Sequence, residues 1–320
     1  MAGPSAGAPY PSNVASTRDS SSVPLAGRTL LVTGASSGTG LAGALAWHRL
    51  GAEIVVGSRS AASCAQVADR MGNARVHPFV ADLGDPSAID LAIGNLEGSG
   101  VAPTDIVHFA AGGLEPILRP LLRLTAGLRR MAPSRERDQA FADGRAEMER
   151  LVAATSATGM AVNYEGPRRL FERIGPTMPD GGRIILFASV WSEMAGAGCP
   201  AFYSSVAESK TRLEKWLNTE AREAALRNVA ATVMVAHVIS DTSTGRLIDR
   251  NIAPLMTPED QSAFRAAYVT TEQTITATTR LLLGPPGLKG LLRRVYQVGS
   301  DELTEAIAPE VRAVASRVPL

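Results

Sequence analysis

The sequence predicts an α/β fold, a doubly wound parallel sheet in a single domain with a helical insertion. Three observations predict it. Short, nearly continuous Val, Ile and Leu runs alternate with helical patterns along most of the chain, which implies a parallel sheet buried on both faces. The first run, Arg28–Thr33, enters a Gly-rich turn at Gly34–Gly40, a helical pattern at Leu41–Leu50 and a second buried run at Ala52–Gly57. That is a βαβ unit of about 30 residues and the opening of a Rossmann-type sheet. Finally, 320 residues suit one large domain or two modest ones at roughly 100–200 residues per domain, and the order of segments favours one.

The alternation continues in order. Ala61–Met71 reads as a helix and Arg75–Val80 as a strand. Ala88–Leu96 reads as a helix and Asp105–Phe109 as a strand. After a long irregular stretch come a helix running through Asn163 to Ile174, a strand at Arg183–Phe187, a helix at Ser205–Leu226 and a strand at Ala231–Val235. A last strand is expected at Arg294–Val298, with a helical tail after Asp301. Residues 1–24 are rich in Ala, Gly, Pro, Ser and Thr; they are expected to be a disordered tail and not a signal peptide. The domain then runs over residues 25–320. A helical insertion is expected at about 114–158, and a substrate loop at about 239–258.

Composition excludes several function classes. Lys and Arg number 32 against 31 Asp and Glu, a net charge of +1, so no global field gathers nucleic acid or an anionic membrane. Cys64 and Cys199 are the two cysteines, too few for a disulfide framework or a structural zinc site. No metal site is expected. No stretch reaches about 18 consecutive apolar residues. The expectation is a cytoplasmic protein with a small-molecule substrate.

The turn Thr33-Gly34-Ala35-Ser36-Ser37-Gly38-Thr39-Gly40 follows a strand and opens a helix, the context a dinucleotide site requires. Gly34 permits the tight turn, Gly38 the approach of a pyrophosphate, and Gly40 close helix–strand packing. The helix N-terminus offers free N–H groups to phosphate. The second strand ends in Ser58-Arg59. A basic residue there accommodates the 2′-phosphate of NADP, whereas an acidic one would bind the NAD ribose. NADP(H) is therefore favoured, with NAD(H) the alternative. Asp82, after the third strand, either caps the next turn or contacts an adenine ring.

With these residues in hand, the chain resembles the short-chain dehydrogenase/reductase family from about Leu25 to Gly245. The glycine turn matches the classical cofactor motif, and Asp82-Leu83 matches the adenine-site Asp. Met160-Ala-Val-Asn163 resembles the active-site Asn segment. Met178–Ser189 resembles the approach to the catalytic Ser, and Tyr203 with Lys210 resembles the catalytic helix. The resemblance implies Asn163, Ser189, Tyr203 and Lys210 as catalytic residues. It implies a cofactor lined by Gly34, Ser36, Ser37, Gly38, Thr39, Gly40, Ser58, Arg59, Asp82, Leu83, Ala110, Ala111, Gly112 and Lys210. It also implies a homodimer or homotetramer paired through the helices bearing Asn163 and Lys210.

Three departures accompany the match. The usual Asn-Asn-Ala-Gly is Phe109-Ala-Ala-Gly112. Tyr203 and Lys210 are seven apart, with Val206 at the usual four. About 50 residues separate Gly112 from Asn163. At about 100° per residue, a spacing of seven returns two side chains to within about 20° of one helix face, one extra turn or about 5 Å along the axis. Tyr203 would therefore approach from further up the helix or from just before it. Divergent enoyl-acyl-carrier-protein reductases of the family use this spacing. The glycine turn and the Ser189-to-Tyr203 separation are instead of the ketoreductase type, and Phe202–Lys210 also resembles fungal fatty-acid-synthase ketoreductase domains.

The implied chemistry is hydride transfer from NADPH to a carbonyl of a bulky, polyketide- or acyl-type substrate. The alternatives are reduction of an enoyl C=C bond and a catalytically silent NADP-binding protein. Tyr203 would be the acid, with its pKa lowered by the Lys210 ammonium. Ser189 would hydrogen-bond the carbonyl oxygen, and Asn163 would hold a relay water. Among the histidines, His237 lies after the sixth strand, near the nicotinamide side of such folds. Trp191 and Cys199 either line the pocket or serve the core. The arginines of the insertion would suit an acidic substrate or an acyl-carrier partner, or simply solvate an amphipathic hairpin.

Overall fold

The computed structural model describes residues 23–194, 198–222 and 225–319. The expected tail, residues 1–24, falls outside the described residues except for Val23 and Pro24, where a turn begins.

Seven parallel strands form the sheet: β1 Thr29–Thr33, β2 Glu53–Ser58, β3 Val76–Val80, β4 Asp105–His108, β5 Gly182–Ser189, β6 Val229–Ala236 and β7 Leu292–Gln297. Their order is β3-β2-β1-β4-β5-β6-β7. The central strands are buried on both faces; Leu30, Leu31, Val32, Ile106 and Val107 are all inaccessible. This is why the sequence reads there as unbroken aliphatic runs rather than alternation. Chain order reverses between β1 and β4. That switch point opens a crevice beyond the carboxyl ends of the strands, where doubly wound folds bind ligands.

Helices α1 Gly38–Arg49, α2 Ala61–Arg70 and α3 Pro86–Gly98 cross over in the first half. Asp85 caps α3 by accepting the Ser87 and Ala88 N–H groups, and Ser60 caps α2, each filling an orphan donor of a first turn.

The insertion forms a hairpin of α4 Glu115–Leu128 and α5 Arg135–Met160. Ile117, Leu121, Thr125 and Leu128 are the buried stripe of α4, and Gly144 lets α5 close on Leu124, where a Cβ would stand 2.5 Å from the Leu124 methyl. No break separates α5 from the helix expected to run through Asn163 to Ile174. α5 passes through a π-helical turn, Ala161–Glu165, into α6 Gly166–Ile174. Pro167 explains the turn: it has no N–H to return to the Asn163 carbonyl, and the helix widens there. Gly166 is needed beside it, because a Cβ would sit 1.9 Å from the Leu83 carbonyl oxygen.

After β5, a 3₁₀ turn at Ala201–Tyr203 leads into α7 Ser204–Thr219. α7 ends well before the expected Leu226. The region after β6 holds α8 Ser243–Leu247, a π turn at Ile248–Ile252 and a 3₁₀ turn at Ala253–Leu255, so the expected substrate loop is largely helical. α9 Pro258–Ala266 and α10 Thr271–Leu283 precede β7. The tail after Asp301 is helical only at α11 Pro309–Ala315. No helix among the described residues is long and apolar enough to cross a membrane.

Candidate active site

A cleft of about 1060 Å³ lies over the switch point. Its floor is the glycine turn. Gly34 has φ +70°, and a Cβ there would lie 2.9 Å from the Ala110 backbone nitrogen. Gly40 packs against the same turn, where a Cβ would meet the Gly34 carbonyl oxygen at 2.3 Å. Gly38 has φ +54° and open space beyond its Cα. Ser37 is the N-cap of α1, yet its side chain makes no capping hydrogen bond. The first-turn N–H groups of α1 thus face the cleft without an internal acceptor, as an anion site requires.

The cleft brings together the expected Gly34, Ser36, Ser37, Thr39, Gly40, Ser58, Arg59, Asp82, Leu83, Ala110, Ala111 and Gly112, whereas Gly38 does not line it. Lys210 lies instead in the adjoining cavity described below. Arg59 is exposed at the rim. Asp82 accepts the Gly84 N–H at 2.9 Å through Oδ1, so it caps the turn while lining the cleft. Sequence reasoning missed Glu115, Thr242 and Thr244, which also line it. Glu115 holds the loop by accepting the Gly113 N–H at 3.0 Å. Thr242 caps α8 by accepting the Gly245 N–H at 3.0 Å. Thr242, the residue immediately before α8, is a readable signal, since a Thr that accepts the N–H three residues on is a helix N-cap.

Beside the cleft lies a second cavity of about 240 Å³, which shares Ala111, Phe187, Ile239, Thr242 and Thr244 with it. Ser189, Tyr203 and Lys210 all line this cavity. Ser189 ends β5, and its hydroxyl accepts the Trp191 N–H at 3.3 Å. Tyr203 lies immediately before α7, and its side chain shares the cavity with that of Ser189. The Trp191 ring lies 5.1 Å from the Tyr203 ring, edge-on. Val206, at the spacing of four, is 2% exposed and packs towards Gly113. Trp191 serves both roles weighed for it: it lines the cavity, yet is 4% exposed and donates its indole N–H to the Ala315 carbonyl at 3.1 Å.

Burial sets the electrostatics. It pushes the Tyr203 phenol well above the ordinary tyrosine range, opposed by the Ser189 side chain. Lys210 does not lower it in this geometry, contrary to the expectation. Its ammonium is turned to the Phe187 carbonyl, to which Nζ donates at 2.6 Å, and burial lowers its pKa to about 8.

Asn163 sits in the π turn behind Lys210. Its Oδ1 accepts the Gly112 N–H at 2.9 Å, and its Nδ2 donates to the Gly112 carbonyl at 3.0 Å and to the Ser209 hydroxyl at 3.1 Å. The side chain clamps the backbone here, a role beyond the water relay expected for it. A void of about 20 Å³ between His108, Asn163 and Lys210 has room for one water. His108 is buried there, its Nδ1 2.8 Å from the Thr33 hydroxyl. Burial, with Lys210 nearby, lowers its pKa to about 3.

The short chain dehydrogenase family model matches residues 28–252. The chain belongs to this family. As a member it is an NAD(P)-dependent oxidoreductase, and the match covers the glycine turn, β5, α7 and the start of the segment after β6. Among solved structures, a dehydrogenase/reductase from Sinorhizobium meliloti 1021 is 23% identical, with a TM-score of 0.57 over 88% of this chain and 97% of that one. A short chain dehydrogenase from Shigella flexneri is 17% identical, with a TM-score of 0.57 over 85% and 92%. The landomycin C-6 ketoreductase LanV, with bound NADP and rabelomycin, is 22% identical, with a TM-score of 0.54 over 86% and 96%. At these identities the likeness is one of fold. No curated protein matches the chain.

Proposed function

We propose that the protein is an NADPH-dependent ketoreductase acting on a bulky carbonyl substrate. One observation carries the reading: Ser189, Tyr203 and Lys210 line a single cavity that opens on the dinucleotide cleft. Arg59 at the rim supports NADPH over NADH, since a guanidinium matches a 2′-phosphate. Bound NADPH would supply the hydride. Tyr203 then donates its phenolic proton to the carbonyl oxygen as that oxygen becomes an alkoxide. Ser189 lines the same cavity and would hold the same oxygen. Below a pH of about 8, Lys210 is an ammonium; turned from the Phe187 carbonyl towards the phenol, it would favour the phenolate left behind. The aromatic wall at Trp191 supports a substrate with a broad apolar face.

Enoyl reduction is the second reading, favoured by the Tyr203–Lys210 spacing of seven. Following NADPH absorbance with paired ketones and enones tests both. Turnover of ketones alone supports the first reading, and turnover of enones alone replaces it. We also read the chain as a homodimer or homotetramer paired through the helices of Asn163 and Lys210, a reading that light scattering tests.

A further inference from the structure

The family match ends at residue 252, and the chain goes on through α9, α10, β7 and α11. α11 spans seven residues, Pro309–Ala315. A helix of that length does not hold itself together in water, so its order comes from what it packs against. Val314 and Ala315 are buried, and the helix packs on α9 and on the 3₁₀ turn Val190–Met194.

That turn directly follows Ser189, and its Val190 and Trp191 belong to the wall of the cavity. α11 grips it at two points. The Ala315 carbonyl accepts the Trp191 indole N–H at 3.1 Å, and Arg312 Nη2 donates to Glu193 Oε2 at 2.7 Å. The other carboxylate oxygen, Oε1, accepts the Tyr296 hydroxyl at 2.5 Å and stands 3.4 Å from Arg294 Nη1, both on β7. The Glu193 side chain is only 6% exposed, so its charge is tolerated only while these donors stay in place. Just past the helix, Arg317 Nε reaches Asp260 Oδ1 of α9 at 3.1 Å. Asp260 lies one helical turn before Phe264, whose ring stacks on Trp191 at 6.4 Å. The segment therefore bears on Trp191 from its own turn and from α9.

We propose that Arg312 is a positioning residue: through Glu193 it holds the turn after Ser189, and with it the Trp191 wall, in the shape that fits a broad apolar substrate. The proposal rests on the reading of this cavity as the substrate site. Arg312 lines neither the cavity nor the cofactor cleft, so its loss should change the fit of substrate and leave NADPH binding alone.

Two measurements on the full-length protein test it. Arg312→Met keeps an unbranched stem and removes the charge, whereas Arg312→Lys can replace the single N–H given to Glu193. Hydrogen exchange read by mass spectrometry should be roughly tenfold faster over residues 189–194 in the methionine variant, the worth of one charge-assisted bond, with the glycine turn at residues 34–40 unchanged. In steady-state kinetics the methionine variant should raise KM for 1-tetralone, a fused-ring ketone, roughly tenfold, while kcat, KM for cyclohexanone and KM for NADPH stay within about twofold of the wild type. The lysine variant should recover most of both effects. Unchanged exchange over residues 189–194, equal acceleration in the glycine turn, an unmoved KM for 1-tetralone, or a lysine variant no better than methionine each overturns the proposal. If the wild type reduces neither ketone, the ketoreductase reading fails separately, and the exchange over residues 189–194 alone decides for or against Arg312.

Discussion

Asn163 grips Gly112 by both ends of its side-chain amide, accepting the glycine N–H at 2.9 Å and donating to the glycine carbonyl at 3.0 Å. The clamp ties the π turn to the loop after β4, where this chain has Phe109 and Ala110 in place of the family's paired asparagines. One buried side chain thus spans 51 residues of sequence and holds a wall of the cofactor cleft.

Asn163→Ala should therefore be destabilising. It leaves both Gly112 backbone groups and the Ser209 hydroxyl short of a partner, at a cost of about 1–3 kcal/mol for a buried unsatisfied group. The expected outcome is a lower midpoint of thermal unfolding and weaker NADP⁺ binding. A variant as stable as the wild type would show that the clamp is dispensable.

Tyr203→Phe should lose roughly 10²–10⁴-fold in kcat, the usual worth of a positioned acid, while the protein stays folded. Ser189→Ala should lose about 10²-fold or more as a missing oxyanion donor. Steady-state kinetics with NADPH and a reducible ketone measure both. Wild-type turnover by the phenylalanine variant would remove Tyr203 from the mechanism.

The pH response follows from Lys210. Burial depresses its pKa to about 8 from an ordinary value of 10.5. Below pH 8 the folded and unfolded states are both protonated, and the cost of burying the ammonium is fully present. Between about 8 and 10.5 the unfolded chain holds more protons, so this residue's contribution to stability rises with pH. Activity should move the opposite way, because the ammonium that favours the phenolate is lost. Reduction rates falling above pH 8, while chemical denaturation midpoints of the wild type exceed those of Lys210→Met by a margin that grows over the same range, would show both effects. A flat rate profile to pH 10 would remove Lys210 from proton transfer.

Arg59→Ala should erode cofactor choice. Losing a charge-assisted bond to the 2′-phosphate is worth about 1.5–3 kcal/mol, or roughly ten- to a hundredfold in NADPH affinity, with NADH affinity little changed. Fluorescence titration with both cofactors reads the ratio directly. Equal losses for the two would mean that Arg59 does not reach the phosphate.

Much of this fold is legible because its signals are local. Gly34 and Gly40 announce a turn with no room for a side chain, and the buried strands declare themselves as aliphatic runs. The candidate catalytic set is harder to read. Tyr203 lies outside α7, so helix periodicity bears on it only indirectly. The Asn163 clamp and the Lys210–Phe187 contact are tertiary pairs, and neither residue's neighbours in sequence encode them. The Glu193–Arg312 pair is likewise invisible in sequence, its members 119 residues apart. The end of α7 at Thr219, short of the expected Leu226, shows propensity yielding to packing: Ala221, Ala225 and Leu226 are buried in a turn instead of extending the helix.

The unbroken helical run from Arg135 to Ile174 restricts how this chain can change its length. Each residue added inside α5 would rotate everything beyond it by about 100°, turning Gly144 away from Leu124 or Asn163 away from Gly112. Insertions and deletions between those two contacts are thus phase-locked to the site. Only the connection at residues 129–134 is free of that constraint, so variation in the hairpin's size should accumulate there, leaving the distance from Gly144 to Asn163 invariant.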